Sequence, residues 1–361
     1  MTFEEARAHF PVLERFAYLN AGSLGPLSRA TLDAMEARAR FDQERGRAGR
    51  AWYEDMFALR GHVRERLAKL VDAPPDRLAL TRSTTDGCNI VLSGLDLGPG
   101  DEAVTTDSEH PGLLLPLHAS GVRVRVAEVA ARPTGQALET ILSCVTQRTR
   151  LLALSHVLWT TGQVMPVHEL RRESGLPVLV DGAQSVGAVP VEVGELDFYT
   201  VSGQKWLCGP DTLGALYVRD PEGLRVAIPS YFAQKSFASD GSFVPVAGAA
   251  RFDSGWLTPP MLAGLEAALS EAPEWRFDRA AEMAAYCRSV LAGQCEVVGD
   301  APQATLVSFV APGDPAEDAL RLHDRGVVVR DLPGTSWLRA SCGWWTNEDD
   351  IDRLVAELFE P

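Results

Sequence analysis

Between Leu78 and Val218 the apolar residues fall in short runs bounded by turn residues. The runs are Leu78–Thr81, Ala103–Thr105, Val122–Val126, Leu151–Leu154, Val178–Val180, Phe198–Val201 and Leu213–Val218. Runs this short and this continuous predict strands buried on both faces. Helical patterns lie between several of them, at Cys88–Leu95 and Val167–Glu173. The alternation predicts an α/β unit around a mostly parallel sheet. Upstream, Arg29–Leu70 returns apolar residues at three- and four-residue spacing, with charge pairs four apart, and predicts helix. Downstream, Ala238–Ala250 is rich in Gly, Ala and Ser and predicts a loop. Helical stretches follow at Met261–Leu269 and Trp275–Leu291, then strands at Leu306–Val310, Val327–Arg330 and Trp337–Ser341. A closing helix starts at the cap signal Thr346-Asn347-Glu348. This last third predicts a smaller α+β unit.

Composition narrows the function. The 361 residues carry 34 Lys+Arg against 49 Asp+Glu, a net charge of -15, which argues against a nucleic-acid partner. No apolar run reaches the roughly 18–20 residues of a membrane span. The start, MTFEEARAHF, is not a secretory signal, so the expected location is cytoplasmic. Cysteines stand at 88, 144, 208, 287, 295 and 342, with no CxxC pair and no His at ligand spacing, so neither zinc nor a disulfide framework is expected. Lysine occurs only at Lys69, Lys205 and Lys235, so chemistry needing a primary amine has three candidates. There is no GxGxxG, no GxxxxGK[ST] and no GxSxG. Gly98-Pro99-Gly100-Asp101 reads as a connector.

Four segments carry chemistry together. In Thr81-Arg-Ser-Thr-Thr-Asp-Gly-Cys-Asn89 a strand ends, hydroxyls follow and a helix begins, which suits an anion or plain N-capping. In Val180-Asp-Gly-Ala-Gln-Ser185 an Asp ends an apolar strand, at the crevice edge of a parallel sheet or simply in a turn. In Val201-Ser-Gly-Gln-Lys-Trp-Leu-Cys-Gly-Pro210 a rare lysine follows a strand and a glycine, an unusual setting for a solvating lysine. Lys69 and Lys235 read as surface charges. Ser108-Glu-His-Pro-Gly112 sets a histidine at the same end of the sheet.

An amine, a strand-end carboxylate, a helix N-terminus and a flat ring together make a pyridoxal 5'-phosphate (PLP) site. The order of these motifs resembles the class V aminotransferase and cysteine desulfurase family of fold-type I PLP enzymes. The resemblance runs from Tyr18-Leu-Asn-Ala-Gly22 to Arg339-Ala-Ser-Cys-Gly-Trp-Trp-Thr-Asn-Glu-Asp-Asp-Ile-Asp352. It is closest in look to cysteine/cystine C–S lyases, through Gly87-Cys-Asn-Ile-Val-Leu-Ser-Gly-Leu95, Glu109-His-Pro-Gly112 and Ser155-His-Val-Leu-Trp-Thr-Thr-Gly-Gln163.

The resemblance implies a fold and roles. Residues 1–20 would form an N-terminal arm on the small domain. Residues 21–255 would form the large PLP-binding domain with a mainly parallel seven-stranded sheet, and residues 256–361 the small α+β domain. Lys205 would carry the cofactor and move the substrate Cα proton, Asp181 would pair with the pyridine nitrogen, His110 would stack on the ring and Gln184 would bond its phenolic oxygen. Ser83, Thr84, Thr85, Ser202 and Gln204 would hold the phosphate. Arg339, with Arg330 in reserve, would clamp the substrate carboxylate, a task suited to a guanidinium fork, and Asn20 and Trp256 would also face the substrate. Departures from the family pattern are Gln204 where His is usual, Gly255-Trp256-Leu257-Thr258 in place of a Gly-Thr pair, and Trp159 where desulfurases often have Asn. Val327–Leu338 holds no cysteine, although desulfurases carry a nucleophilic Cys there; Cys342 lies beyond Arg339. The expected activity is therefore PLP-dependent β-elimination from cysteine, cystine or a related β-thio amino acid, giving pyruvate, ammonia and a sulfur species, in a homodimer that binds neither nucleic acid nor membrane. The alternatives are a class V aminotransferase or isopenicillin N epimerase-like enzyme. A cysteine desulfurase fits less well, and a non-catalytic PLP-fold protein least, given the intact Lys205, Asp181 and Arg339.

Overall fold

In a computed structural model of the chain, residues 1–130, 132–299 and 303–359 are described. Seven strands form the main sheet: β1 Leu78–Thr81, β2 Glu102–Thr106, β3 Arg123–Ala127, β4 Thr149–Ser155, β5 Val178–Asp181, β6 Phe198–Ser202 and β7 Gly214–Val218. Their order is β1-β7-β6-β5-β4-β2-β3. Only β7 runs against its neighbours, β1 and β6. Every residue of β1, β2, β5, β6 and β7 is buried, as continuous apolar runs require of a sheet covered on both faces. The strand period of two sends alternate residues to two cores. Leu78, Leu80, Leu152, Leu154, Val178, Val180, Tyr199 and Val201 join one. Ala79, Leu151, Ala153, Leu179, Phe198 and Leu216 join the other.

The helical pattern upstream of β1 is two helices, Arg29–Arg45 and Arg50–Leu70, rather than one. Gly46 and Gly49, at φ 78° and 85°, break it in backbone conformations that side chains resist. The stretch Ala238–Ala250 also differs from a plain loop: Phe243–Pro245 pairs back on Gln234–Phe237 as a hairpin, and a 3-10 turn spans Ala249–Phe252.

A second, antiparallel sheet has β8 Val297–Val298, β9 Leu306–Val310, β10 Arg330–Asp331 and β11 Trp337–Ser341, in the order β8-β9-β11-β10. Its core takes Met283, Cys287, Leu291, Phe309, Leu338, Ile351 and Leu354, and also Ala17 and Leu19 from the start of the chain. Ala17–Tyr18 pairs in parallel with Val327–Val328, and Asn20 bridges Ser341. The helix Pro259–Glu271, expected to open the small unit, instead packs on the main-sheet core through Leu262 and Leu265, with Leu257 just before it. Between the two sheets Phe10, Ala21, Trp206, Leu306, Trp344 and Trp345 make a joint core. No helix among the described residues is long and apolar enough to cross a membrane.

Candidate active site

Sheet register assembles one half of the site. Thr81, Gly214 and Ser202 are neighbours across β1, β7 and β6, all at the end of the sheet where β1 and β6 finish. The chain leaving β1 therefore passes beside the chain leaving β6. On the first, Ser83 caps the helix Thr84–Gly94: its Oγ accepts the Asp86 N–H at 3.1 Å. Thr84 and Thr85 form the first turn, where backbone N–H groups lack helical acceptors and favour an anion. On the second, Ser202 Oγ donates to Gln204 Oε1 at 2.9 Å. A Cβ on Gly87 would come within 2.9 Å of Thr200, so glycine lets this helix lie against β6.

Lys205 follows directly. Its pKa is lowered to about 8, first by burial, with Arg339 and Arg330 pushing the same way and Asp181 opposing them. Asp181 ends β5, buried, and its Oδ1 accepts from the Ala183 N–H at 2.9 Å and from Thr200 Oγ1 at 3.3 Å. Oδ2 has no hydrogen-bond partner among the described residues. His110 caps the helix Pro111–Ala119; its Nδ1 accepts the Gly112 N–H at 3.0 Å. That bond fixes the neutral tautomer with the proton on Nε2. Burial and then the Lys205 charge lower the His110 pKa, so the ring stays neutral at pH 7. A Cβ on Gly112 would meet Thr85 Oγ1 at 2.6 Å, so the two helix starts adjoin.

The other half is cationic. Arg339, on β11, is 1% exposed; Nη1 donates to the Trp159 carbonyl at 2.7 Å and Nη2 lies 3.5 Å from Ser23 Oγ. Arg330, opposite it on β10, donates to the same Ser23 Oγ at 3.1 Å. Neither arginine has a carboxylate partner among the described residues. Burial, and then the like charge of Arg330, pull the Arg339 pKa down to about 9, which leaves it charged at pH 7. Ser23 Oγ also donates to Asn20 Oδ1 at 2.8 Å, so Asn20 joins this group. The Asn20–Gly25 segment spans both halves: Gly25 N–H donates to the Gln204 carbonyl at 2.8 Å, and a Cβ on Gly22 would meet Arg339 Nη2 at 2.7 Å.

The structure thus brings Ser83, Thr84, Thr85, His110, Asp181, Ser202, Gln204, Lys205, Arg339, Arg330 and Asn20 to one cleft between the sheets. Gln184 stands nearby with its amide mostly engaged: Nε2 donates to the Gly22 carbonyl at 2.9 Å and Oε1 accepts from Trp206 Nε1 at 3.0 Å. One N–H of Gln184 is left to donate. Trp256 stands apart. It is 53% exposed and stacked on Trp52, ring centroids 6.1 Å apart, with Phe232 beside it. The resemblance implied a place facing the substrate; within this chain Trp256 lies on an exposed aromatic patch.

One residue was given no role in the sequence reading, and another entered it only as a departure. Glu109 is buried and accepts from Thr106 Oγ1 at 2.7 Å and from Ser155 N and Oγ at 2.9 and 2.6 Å. Burial raises its pKa to about 7 against those bonds, and the Asp181 charge adds to the rise. Its place directly before His110 was the available signal. Trp159 meets His110 edge-on, ring centroids 5.2 Å apart, while its carbonyl holds Arg339.

A family model described as aminotransferase class V matches residues 28–354. Isopenicillin N epimerase of Streptomyces clavuligerus is 29% identical to the chain, over 99% of it and 97% of the relative. A cysteine desulfurase of Salmonella typhimurium is 29% identical, over 99% and 98%. Among solved structures, a mutant of C-DES with glycine covalently linked to the PLP cofactor aligns at TM-score 0.91 and 32% identity, over 98% of this chain and 99% of that one. The cystine C–S lyase C-DES in complex with its product, cysteine persulfide, aligns at TM-score 0.90 and 32% identity, over 97% and 99%.

Proposed function

The chain belongs to the class V aminotransferase family of PLP-dependent enzymes, and on that premise we propose that it is a carbon–sulfur lyase. Its substrate on this reading is cysteine, cystine or a related β-thio amino acid, and the products are pyruvate, ammonia and a sulfur species. The observation that carries the reading is the pairing of a half-buried Lys205, its pKa lowered to about 8, with two guanidiniums, Arg339 and Arg330, that lack acidic partners. Such a cleft suits a molecule bearing both an amine and a carboxylate.

The residues fit PLP. The helix start at Thr84 carries free N–H groups, and the strand-end carboxylate of Asp181 keeps one open oxygen. When bound, PLP supplies the electron sink that accepts the pair left by loss of the Cα proton. Ser83, Thr84, Thr85, Ser202 and Gln204 hold the phosphate. Asp181 Oδ2 would accept a hydrogen bond from the ring nitrogen and keep its proton in place. His110 would cover one face of the ring, and Gln184 would offer its remaining N–H to the phenolic oxygen. Arg339 grips the substrate carboxylate, with Arg330 and Asn20 beside it. Lys205 Nζ takes the Cα proton, for which an amine of lowered pKa is suited at neutral pH.

Elimination is favoured over persulfide transfer because Val327–Leu338, before Arg339, holds no cysteine and four of the six thiols are buried. Cys88, Cys208, Cys287 and Cys342 are buried, and burial pushes the Cys88 and Cys208 thiols well above their ordinary pKa. A desulfurase needs a mobile thiolate at the site. All six cysteines are free, which supports a reducing, cytoplasmic setting. We further propose a homodimer: Tyr53, Phe57, Tyr231, Phe237 and Trp256 are all exposed, an apolar surface that a second copy would cover. Trp256 is a pocket wall only in such an assembly.

The test is to incubate purified enzyme, PLP and a panel of amino acids, and to assay pyruvate, sulfide, keto acids and optical inversion together. Pyruvate in step with released sulfur from cysteine or cystine is expected. Alanine with enzyme-bound sulfur, a keto acid without sulfur release, or inversion alone would overturn the lyase reading.

A further inference from the structure

Next to Asp181 runs a row of polar side chains to which the functional reading gives no role. His156 Nδ1 and Tyr199 Oη are 2.7 Å apart, Tyr199 Oη bonds Ser185 Oγ, and Ser185 Oγ donates to the Gly182 carbonyl at 3.1 Å. His156, Tyr199 and Ser185 are all buried. Apolar side chains would fill such a space with less desolvation, so a buried polar row calls for an explanation.

The last bond sets the direction of the others. A serine hydroxyl has one proton, and that of Ser185 points to Gly182, so Ser185 accepts from Tyr199. Tyr199, its one proton used, accepts in turn from His156, whose proton therefore sits on Nδ1. Burial, and then the His168 charge, lower the His156 pKa to about 4, so the ring is neutral at pH 7. Burial pushes the Tyr199 hydroxyl up, so it keeps its proton. Bonds aligned head to tail in this way strengthen one another.

Both ends of the row fasten the backbone around Asp181. His156 N–H donates to the Asp181 carbonyl at 3.0 Å, and the Gly182 carbonyl also accepts the Ser185 and Val186 N–H groups at 3.1 and 3.2 Å. The Tyr199 ring lies against Gly182, where a Cβ would come within 2.3 Å of it. Thr200, the next residue of β6, donates to Asp181 Oδ1 and accepts the Gly182 N–H, both at 3.3 Å. What the row touches, at both ends and in the middle, is the turn that carries the Asp181 carboxylate.

We propose that His156, Tyr199 and Ser185 are positioning residues for Asp181, with Tyr199 as their hub, and that they hold the turn so that Oδ2 stays directed at the ring nitrogen of PLP. This inference rests on the functional reading above. PLP uptake and turnover by the unaltered enzyme test that reading, whereas the difference between the enzyme and its variants in this row tests the present one.

Tyr199→Phe keeps the ring against Gly182 and removes both bonds of the hub. With cystine as substrate, kcat per bound PLP should fall by about three- to tenfold, the order of one or two neutral hydrogen bonds. KM, governed by the arginines, should stay the same. The readout that a merely structural role would not move is the proton resonance of the PLP ring nitrogen in the loaded enzyme. A short bond to Asp181 holds it far downfield, and it should move upfield in Tyr199→Phe. His156→Asn, which keeps an N–H in place of Nδ1–H, should retain most of kcat and the downfield resonance, whereas His156→Leu should lose both. A further readout needs no cofactor: nitrogen NMR of the histidine rings in apo-protein should find the His156 proton on Nδ1. If Tyr199→Phe does not fold, Ser185→Ala, at the far end of the row, should move the ring-nitrogen resonance in the same direction. A resonance that stays in place in the folded variant, whatever the change in kcat or melting temperature, would overturn the proposal, and so would a His156 proton on Nε2.

Discussion

The two walls of the cleft are built on opposite charges and by opposite means. The Asp181 wall belongs to the main sheet, where β4 and β5 pair in register and set Ser155 beside Asp181. It holds two buried carboxyl groups, Asp181 and Glu109, both tied down by donors from adjoining backbone and hydroxyls. The Arg339 wall belongs to the antiparallel sheet and holds two guanidiniums tied mainly to Ser23 and the Trp159 carbonyl. The first wall is left with one open carboxylate oxygen, on Asp181; the second is left with spare donors. Cofactor chemistry needs a fixed carboxylate, whereas substrate exchange needs a cationic surface that fills and empties. Lys205 stands between them and feels both, Asp181 raising its pKa and the arginines lowering it.

Removing the lysine removes what the walls share. Lys205→Ala should abolish turnover and the visible absorbance of lysine-bound cofactor, while Lys69→Ala and Lys235→Ala leave both nearly unchanged. Spectra and assays of the three variants check this. Next in size, Asp181→Asn should still take up PLP yet lose most of the rate, since a neutral side chain no longer holds the ring nitrogen protonated; kcat at saturating cofactor is the readout. Near-native kcat would remove the carboxylate wall from the chemistry.

The sharpest comparison is one of sign. Capture of PLP by apo-protein needs the neutral amine, so its rate should rise through pH 8 in the unaltered chain, following the Lys205 pKa of about 8. Asp181→Asn deletes a charge that raises this pKa and should move the midpoint down. Arg339→Gln deletes a charge that lowers it and should move the midpoint up. Shifts of the same sign in both variants would show that the walls do not oppose one another at Lys205. The smallest effect is expected outside both walls: replacing any one of the six cysteines by alanine should spare kcat, within the stability loss of a small core cavity. An inactive single-cysteine variant would add a thiol to the cleft.

The two walls also differ in how far they could be read beforehand. Strand ends on the main sheet coincide with motif residues, so Ser83, Asp181, Ser202 and Lys205 were legible as one group from periodicity and order. The helix that follows β1 begins at Thr84 rather than at Cys88, because Ser83 and the hydroxyls after it start a turn that apolar spacing does not register. Glu109 was passed over since a glutamate beside a histidine reads as surface, and only the fold puts Thr106 and Ser155 around it. Arg339 rested on resemblance to a family: nothing local marks a β-strand arginine as buried. Trp159 and Trp256 show the limit in opposite directions. The indole that touches the site was noticed only as a departure, and the one assigned to the pocket packs on Trp52, far along the chain.

The reversed strand β7 has a consequence for how Lys205 is carried. Because β7 returns antiparallel to β6, Ser202 faces Gly214, and the segment between them leaves and re-enters the sheet at the same edge. Gly203 N–H donates to the Leu213 carbonyl at 2.9 Å, and Gly209 N–H to the Gly203 carbonyl at 2.9 Å, which staple the loop across its neck. A parallel return would require a crossover of about a dozen residues or more and would leave Lys205 tethered at one end only. The doubly moored loop has little slack, so added chain length here should be tolerated far less than in the Gln234–Pro245 hairpin, and a protease should find this lysine segment among the last to open.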